Sequence, residues 1–130
     1  MEADITKAKC VFCDIPKDRV VSEHQYFFVI RDAFPVTKLH SLIISNRHVS
    51  DYFELTYKEK EELQKISQSL KFDLEKLDSS IKGYNIGINI GEAAGQTVMH
   101  FHQHFIPRRD SDTPNPRGGV RGVIPDKQSY

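Results

Sequence analysis

The chain has 130 residues, with 18 Lys plus Arg against 18 Asp plus Glu, so its formal net charge is +0 at pH 7. That length suits one domain with one core and is too short for two of ordinary size. Balanced charge gives no basic footprint, so neither nucleic acid nor an anionic membrane is expected as a partner, and no apolar run reaches the roughly 20 residues needed to span a bilayer. The opening MEADITKAKC has neither a basic n-region nor an apolar h-region, so a cytoplasmic protein is expected.

In chain order, the first motif is CVFC, which holds the only two cysteines, Cys10 and Cys13. Two intervening residues are common to zinc knuckles and to thioredoxin-like redox pairs. The redox reading wants a preceding strand, and none is patterned here. YFFVIRD (26–32) is rich in aromatic and β-branched residues and reads as a strand, ended by a turn at Pro35. LHSLIIS (39–45) reads as a second strand, close enough to the first to pair with it antiparallel. Ser50 is placed to cap a short helical turn over 51–55. Thr56 with Glu59 three residues on forms a capping box, and Leu63, Ile66, Leu70, Leu74 and Leu77 then make one apolar stripe of a longer helix. YNIGINI (84–90) and VMHFHQHFI (98–106) read as further strands joined by the turn GEAAG. Strands, a helix and strands again with short connections predict an α+β fold with a mainly antiparallel sheet.

The last strand carries the chemistry. Alternation puts His100, His102 and His104 on one face and Met99, Phe101, Gln103 and Phe105 on the other. Same-face neighbours lie about 6.6 to 7 Å apart, so two imidazoles can meet at one point and three rarely can. Three readings are open: a solvated polar face, a pair of ligands for a catalytic metal, or a neutral imidazole acting as nucleophile beside proton-handling neighbours. GEAAGQTV next to the row offers backbone N–H groups and the Gln96 and Thr97 side chains, which suit phosphate oxygens. No nucleophile elbow for acyl transfer is present, so phosphoryl chemistry is favoured.

GQTVMHFHQHFIPR (95–108) resembles the signature of the histidine triad family of nucleotide hydrolases and transferases. VIRDAFPVTKLHSLIISNRHVS (29–50) resembles that family's first hairpin, and INIGEAAGQTV fits its spacing, so the resemblance covers 9–109, with 110–130 as a tail. It implies an antiparallel sheet of about five strands with one long helix and one or two short ones, in a homodimer that aligns the sheets and helices of two subunits. It also implies that His102 attacks the α-phosphorus of a nucleotide to give a covalent nucleotidyl-histidine that water hydrolyses. His104 would contact phosphate or assist the leaving group, and His100 would orient the site. Asp32 matches the ribose-binding acid; Asn89, Gln96 and Thr97 match residues that position phosphates. No cofactor is needed for the reaction, and Phe27, Val29, Ile30 and Ile43 would surround a base pocket. Zinc-containing relatives join a Cys-x-x-Cys to two histidines, which here are His48 and His100. Cys10, Cys13, His48 and His100 would then hold a closed structural zinc.

Arg108 and Arg109 resemble the branch that cleaves diadenosine polyphosphates. The implied function is hydrolysis of adenosine polyphosphates; the alternatives are a nucleoside phosphoramidase and a nucleotide-binding protein with negligible turnover. Gln103 departs from the apolar residue usual at its position, and Lys38-Leu39 replaces a common Pro-Gly. No regular structure is assigned to the tail, where Arg117 and Arg121 could clamp a polyphosphate.

Overall fold

The computed structural model describes residues 10–130; the opening stretch 1–9, with Lys9 and most of the segment read above as carrying no targeting signal, lies outside the described residues. Five antiparallel strands form one sheet in the order β1-β2-β3-β5-β4. These are β1 (Val20–Glu23), β2 (Phe27–Arg31), β3 (Ser41–Ser45), β4 (Gly83–Gly87) and β5 (His102–Arg108), with helix α1 (Tyr57–Leu77) between β3 and β4. Among the described residues no helix is long and apolar enough to cross a membrane.

Alternation decides which face each strand residue serves. Phe27, Val29, Ile43, Phe101 and Phe105 form a core with Leu63, Ile66, Leu70 and Leu74 of α1. Burial of each large side chain there contributes on the order of 1.5 to 3 kcal/mol. Ile30, Leu42 and Ile44 point the other way, where Phe12 and Ile15 of the N-terminal segment cover them. The sheet therefore has a helix on one face and the CVFC segment on the other, and the histidine row opens toward the second.

Several boundaries differ from the sequence expectation. β1 had no strand pattern of its own and is held by its pairing with β2 through an irregular register between Val20 and Ser22. β3 starts at Ser41 because Leu39 turns through the left-handed region at φ 72°. β5 starts at His102, not Val98, so His100 precedes the strand. The short turn Tyr52–Glu54 is capped by Asp51, which accepts from Phe53 N–H. Ser50 instead donates its N–H to Glu54 Oε1 at 2.8 Å. The capping box of α1 forms as predicted. Leu77, read as part of the stripe, is 64% exposed because it ends the helix. Gln103 is buried under α1 and donates to Ser67 Oγ at 3.1 Å, so the polar departure is met by a partner on the helix.

In the tail, tight helical turns cover Gly119–Val123 and Pro125–Lys127. Arg117 and Arg121 lie 5.0 and 4.9 Å from the Tyr130 ring. Arg108 pairs with Asp112 and Arg109 with Asp78. Ser80 and Arg109 hold the Asp78 carboxyl down at about 2.

Candidate active site

A cavity of roughly 780 Å³ lies between the CVFC segment and the second face of the sheet. Its walls include Phe12, Ile15, Ile30 and Leu42; its polar lining includes Asp32, His40, Asn89, Thr97, His102 and His104. Of the four residues read as a base pocket, Ile30 alone faces it. Phe27, Val29 and Ile43 are on the opposite side of the pleat, in the helix-facing core.

The three histidines divide. His102 and His104 share the cavity with ring centroids 5.4 Å apart. His100, just ahead of β5, turns toward the cysteines. Hydrogen-bond partners fix the ring protons of each. His102 Nδ1 sits 2.8 Å from the His100 carbonyl, so Nδ1 carries the proton and Nε2 is left with a free lone pair. His40 receives the Val36 N–H on Nδ1 at 3.1 Å, so its proton is on Nε2. That proton faces His104 Nδ1 at 3.0 Å and Asp32 Oδ2 at 3.4 Å. With Nδ1 accepting, His104 keeps its own proton on Nε2 as a donor. The cavity thus holds one imidazole with a bare nitrogen beside one with a bare proton. His40 could have been found in the sequence by its place at the start of the second apolar strand, but nothing there gives its partners.

Burial favours the uncharged form of all three rings. It pushes His40 and His102 below their ordinary values, against the opposing pull of Asp32. His104 falls to about 4, from burial first and then from its neighbours His102 and His40. Asp32 Oδ1 accepts the Phe34 N–H at 2.9 Å, leaving Oδ2 toward the histidines.

The GEAAG turn is more self-contained than its sequence implied. Gly91 and Gly95 take φ of 88° and 96°, which only glycine adopts without strain. The N–H groups of Ala94, Gly95 and Gln96 are spent on Gly91 and Glu92 carbonyls. Gln96 is buried and is outside the cavity lining. Its side chain accepts from Gly91 N–H and donates to the Ser50 and Val98 carbonyls. It shapes the loop that presents Asn89 and Thr97.

Cys10, Cys13, His48 and His100 converge within 4.8 Å of one another. Sγ of Cys10 and Cys13 each lie 3.4 Å from His100 Nδ1, and Cys13 Sγ and His100 Nδ1 each lie 3.1 Å from His48 Nδ1. A tetrahedral zinc with bonds of about 2.3 Å to sulfur and 2.0 to 2.1 Å to nitrogen needs ligand atoms about 3.3 to 3.8 Å apart. The cluster is close to that spacing. His100 Nε2 lies 2.7 Å from the Ser45 carbonyl, which takes its proton and leaves Nδ1 bare for a metal. A second convergence, Asp32, His40 and His104, has comparable spacing but not a free donor set. The Val36 N–H on His40 Nδ1 keeps a proton on the Nε2 that a metal would need.

A family model described as the HIT domain matches residues 15–111. An uncharacterised HIT-like protein of Mycoplasma genitalium is 36% identical over 112 residues, covering 82% of this chain and 77% of its own. The Bacillus subtilis protein called Protein hit is 33% identical over 108 residues, covering 76% and 70%. Among solved structures, a zinc-bound histidine triad family protein from Mycobacterium smegmatis superimposes with a TM-score of 0.74 at 32% identity, over 84% of this chain and 81% of that one. Plasmodium falciparum diadenosine triphosphate hydrolase gives 0.72 at 26% identity, over 78% and 68%. With its histidine pair in a cavity and most of its length matched, this chain belongs to the HIT domain family.

Proposed function

We propose that this chain is a single-domain nucleotide phosphoanhydride hydrolase of the cytoplasm, acting on adenosine polyphosphates such as diadenosine polyphosphates. The observation that carries it is the His102 Nδ1–H···O=C His100 bond, which leaves a nucleophilic Nε2 on a buried, uncharged ring lining the cavity. The name of the Plasmodium relative supports the substrate class.

His102 Nε2 attacks the α-phosphorus while the bond from phosphorus to the bridging oxygen breaks, and the remaining phosphate chain leaves. His104 Nε2–H is placed to donate to phosphate oxygen, with His40 and Asp32 holding its tautomer. Water then adds to phosphorus, the P–N bond breaks, and a nucleoside monophosphate is released with His102 regenerated. Asp32 would bind a ribose hydroxyl and Asn89 and Thr97 the phosphates, a reading supported by their place in the cavity lining. Gln96 acts by shaping their loop. Cys10, Cys13, His48 and His100 bind zinc as a closed structural site, leaving no ligand position for substrate. The protein works as a homodimer.

The test is product analysis with diadenosine tetraphosphate and adenosine phosphoramidate side by side. Wild type is expected to release AMP from the dinucleotide, and His102→Ala to lose at least about a thousandfold in rate. Faster cleavage of the phosphoramidate would assign the P–N reaction instead. Nucleotide binding without any product from wild type would leave a binding protein and sink the hydrolase.

A further inference from the structure

Phe12 stands between the two cysteines, in the single turn Val11–Cys13 that Cys13 N–H closes onto Cys10 O at 3.1 Å. Sulfur contacts to His48 and His100 tie that turn to the sheet. Its ring meets His102 with centroids 4.8 Å apart and planes at 68°, and meets His100 at 6.1 Å and 90°. Both are edge-to-face arrangements, with a definite preferred geometry. Phe12 also lines the cavity beside His102.

The His100 carbonyl fixes the tautomer of His102, but a histidine ring turns on a broad, roughly two-fold torsion that a single hydrogen bond restrains poorly. A second contact from the side of the ring removes that freedom. Here it comes from a residue whose own place is set by the two flanking thiols. We infer that Phe12 is a positioning residue that makes the orientation of His102 depend on the loading of the Cys10–Cys13–His48–His100 cluster. The inference rests on His102 as the nucleophile. It gives the metal a part in turnover although no metal touches substrate: closing the four ligands seats the turn, the turn seats Phe12, and Phe12 holds the ring with Nε2 toward the cavity. Two links then run from the cluster to His102, one through the His100 backbone and one through Phe12.

The experiment pairs wild type with Phe12→Ala, each zinc-loaded and chelated, with Phe12→Tyr as the conservative control and circular dichroism to confirm the fold. Histidine ring nitrogens are followed by 15N NMR without substrate, and kcat and KM are measured with a diadenosine polyphosphate. Zinc-loaded wild type should show His102 as a single tautomer protonated on Nδ1. Phe12→Ala with its metal content unchanged should show an averaged ring signal and lose about tenfold, mainly in kcat, and Phe12→Tyr should recover most of it. Chelation should cost Phe12→Ala a smaller factor than it costs wild type, because one of the two links is already gone. Zinc-loaded Phe12→Ala with wild-type ring signals and kcat would overturn the inference, as would equal factors of loss on chelation. If wild type turns over no nucleotide, the hydrolase reading fails while the ring spectra still decide the role of Phe12.

Discussion

At the scale of single residues, proton placement does the work that spacing alone could not specify. Three alternate histidines could be read in the sequence as unable to meet at one point, and the rings do part: His102 and His104 line the cavity while His100 meets the cysteines. The carbonyl of His100 and the N–H of Val36 assign the protons, and both are backbone groups that no side-chain pattern encodes. His40 entered the site for the same reason: its position was visible, its 3.0 Å contact to His104 was not. The lowered value of His104 has a consequence that can be measured. Its ordinary value is 6.5 and in the fold it drops to about 4, so between these the unfolded chain binds a proton that the folded one refuses. The ring's contribution to stability is full above pH 6.5 and is lost as pH falls from 6.5 toward 4. His102 and His40 oppose the charge and Asp32 favours it. A bound polyphosphate adds negative charge and must move the value back up. Titration of the His104 ring by NMR is expected to show a midpoint near 4 in the free protein and a higher one with AMP bound. A free-protein midpoint at 6.5 would show that the ring is neither desolvated nor coupled to its neighbours.

At the scale of elements, helix α1 supports the Cys10–Cys13–His48–His100 cluster through its first turn. Glu59 is 2% exposed and receives Arg47 Nε and Nη2 at 3.0 and 2.9 Å while also closing the capping box onto Thr56 N–H. Arg47 is the neighbour of His48, so this pair fixes the strand-to-helix connection that brings His48 to the cysteines. Glu59→Ala removes the charge-assisted bonds and half of the box, at a cost of about 2 to 3 kcal/mol. The native contribution is present above the ordinary carboxyl value of 4.5 and fades as pH falls through the lowered value that Arg47 imposes. The variant is expected to unfold at lower urea and to release zinc to a chelator faster than wild type. Unchanged zinc release would mean that His48 is held without the helix. The helix was the most legible element because its apolar repeat and its capping box are local signals. The strands were legible in kind and misplaced at their ends. Leu39 leaves the strand by a left-handed turn. β1 exists only because β2 offers an edge, which is a tertiary cause with no local signature.

At the scale of the whole molecule, the fold brings Cys10, Cys13, His48 and His100 together and sets Asp32, His40, His102 and His104 in the lining of one cavity. The family motifs named nearly all of these. They could not show that Arg108 and Arg109, read as a mark of substrate class, pair with Asp112 and Asp78, nor that Gln96 is spent on its own loop. What the single chain leaves open is its far edge. β4 pairs with β5 on one side and ends the sheet on the other, a row of backbone donors and acceptors that invites another strand. Beside it, Ile86 is 48% exposed, and a groove lined by Tyr52, Tyr57, Leu63, Ile86 and Gln103 runs between this strand and α1. Tyr57, on the rim, is 90% exposed. A second copy related by a two-fold axis would cover the groove and the edge together, each subunit offering the same surface. Any substitution in such an interface counts twice, so Ile86→Glu places two carboxylates in the contact and leaves them poorly solvated. Light scattering on wild type is expected to give twice the chain mass of 15.0 kDa, and on Ile86→Glu the single-chain mass with the fold intact by circular dichroism. A wild type that runs as one chain at micromolar concentration would mean that the β4 edge stays unpaired, with the tail turn at Gly119 lying close to Asn85.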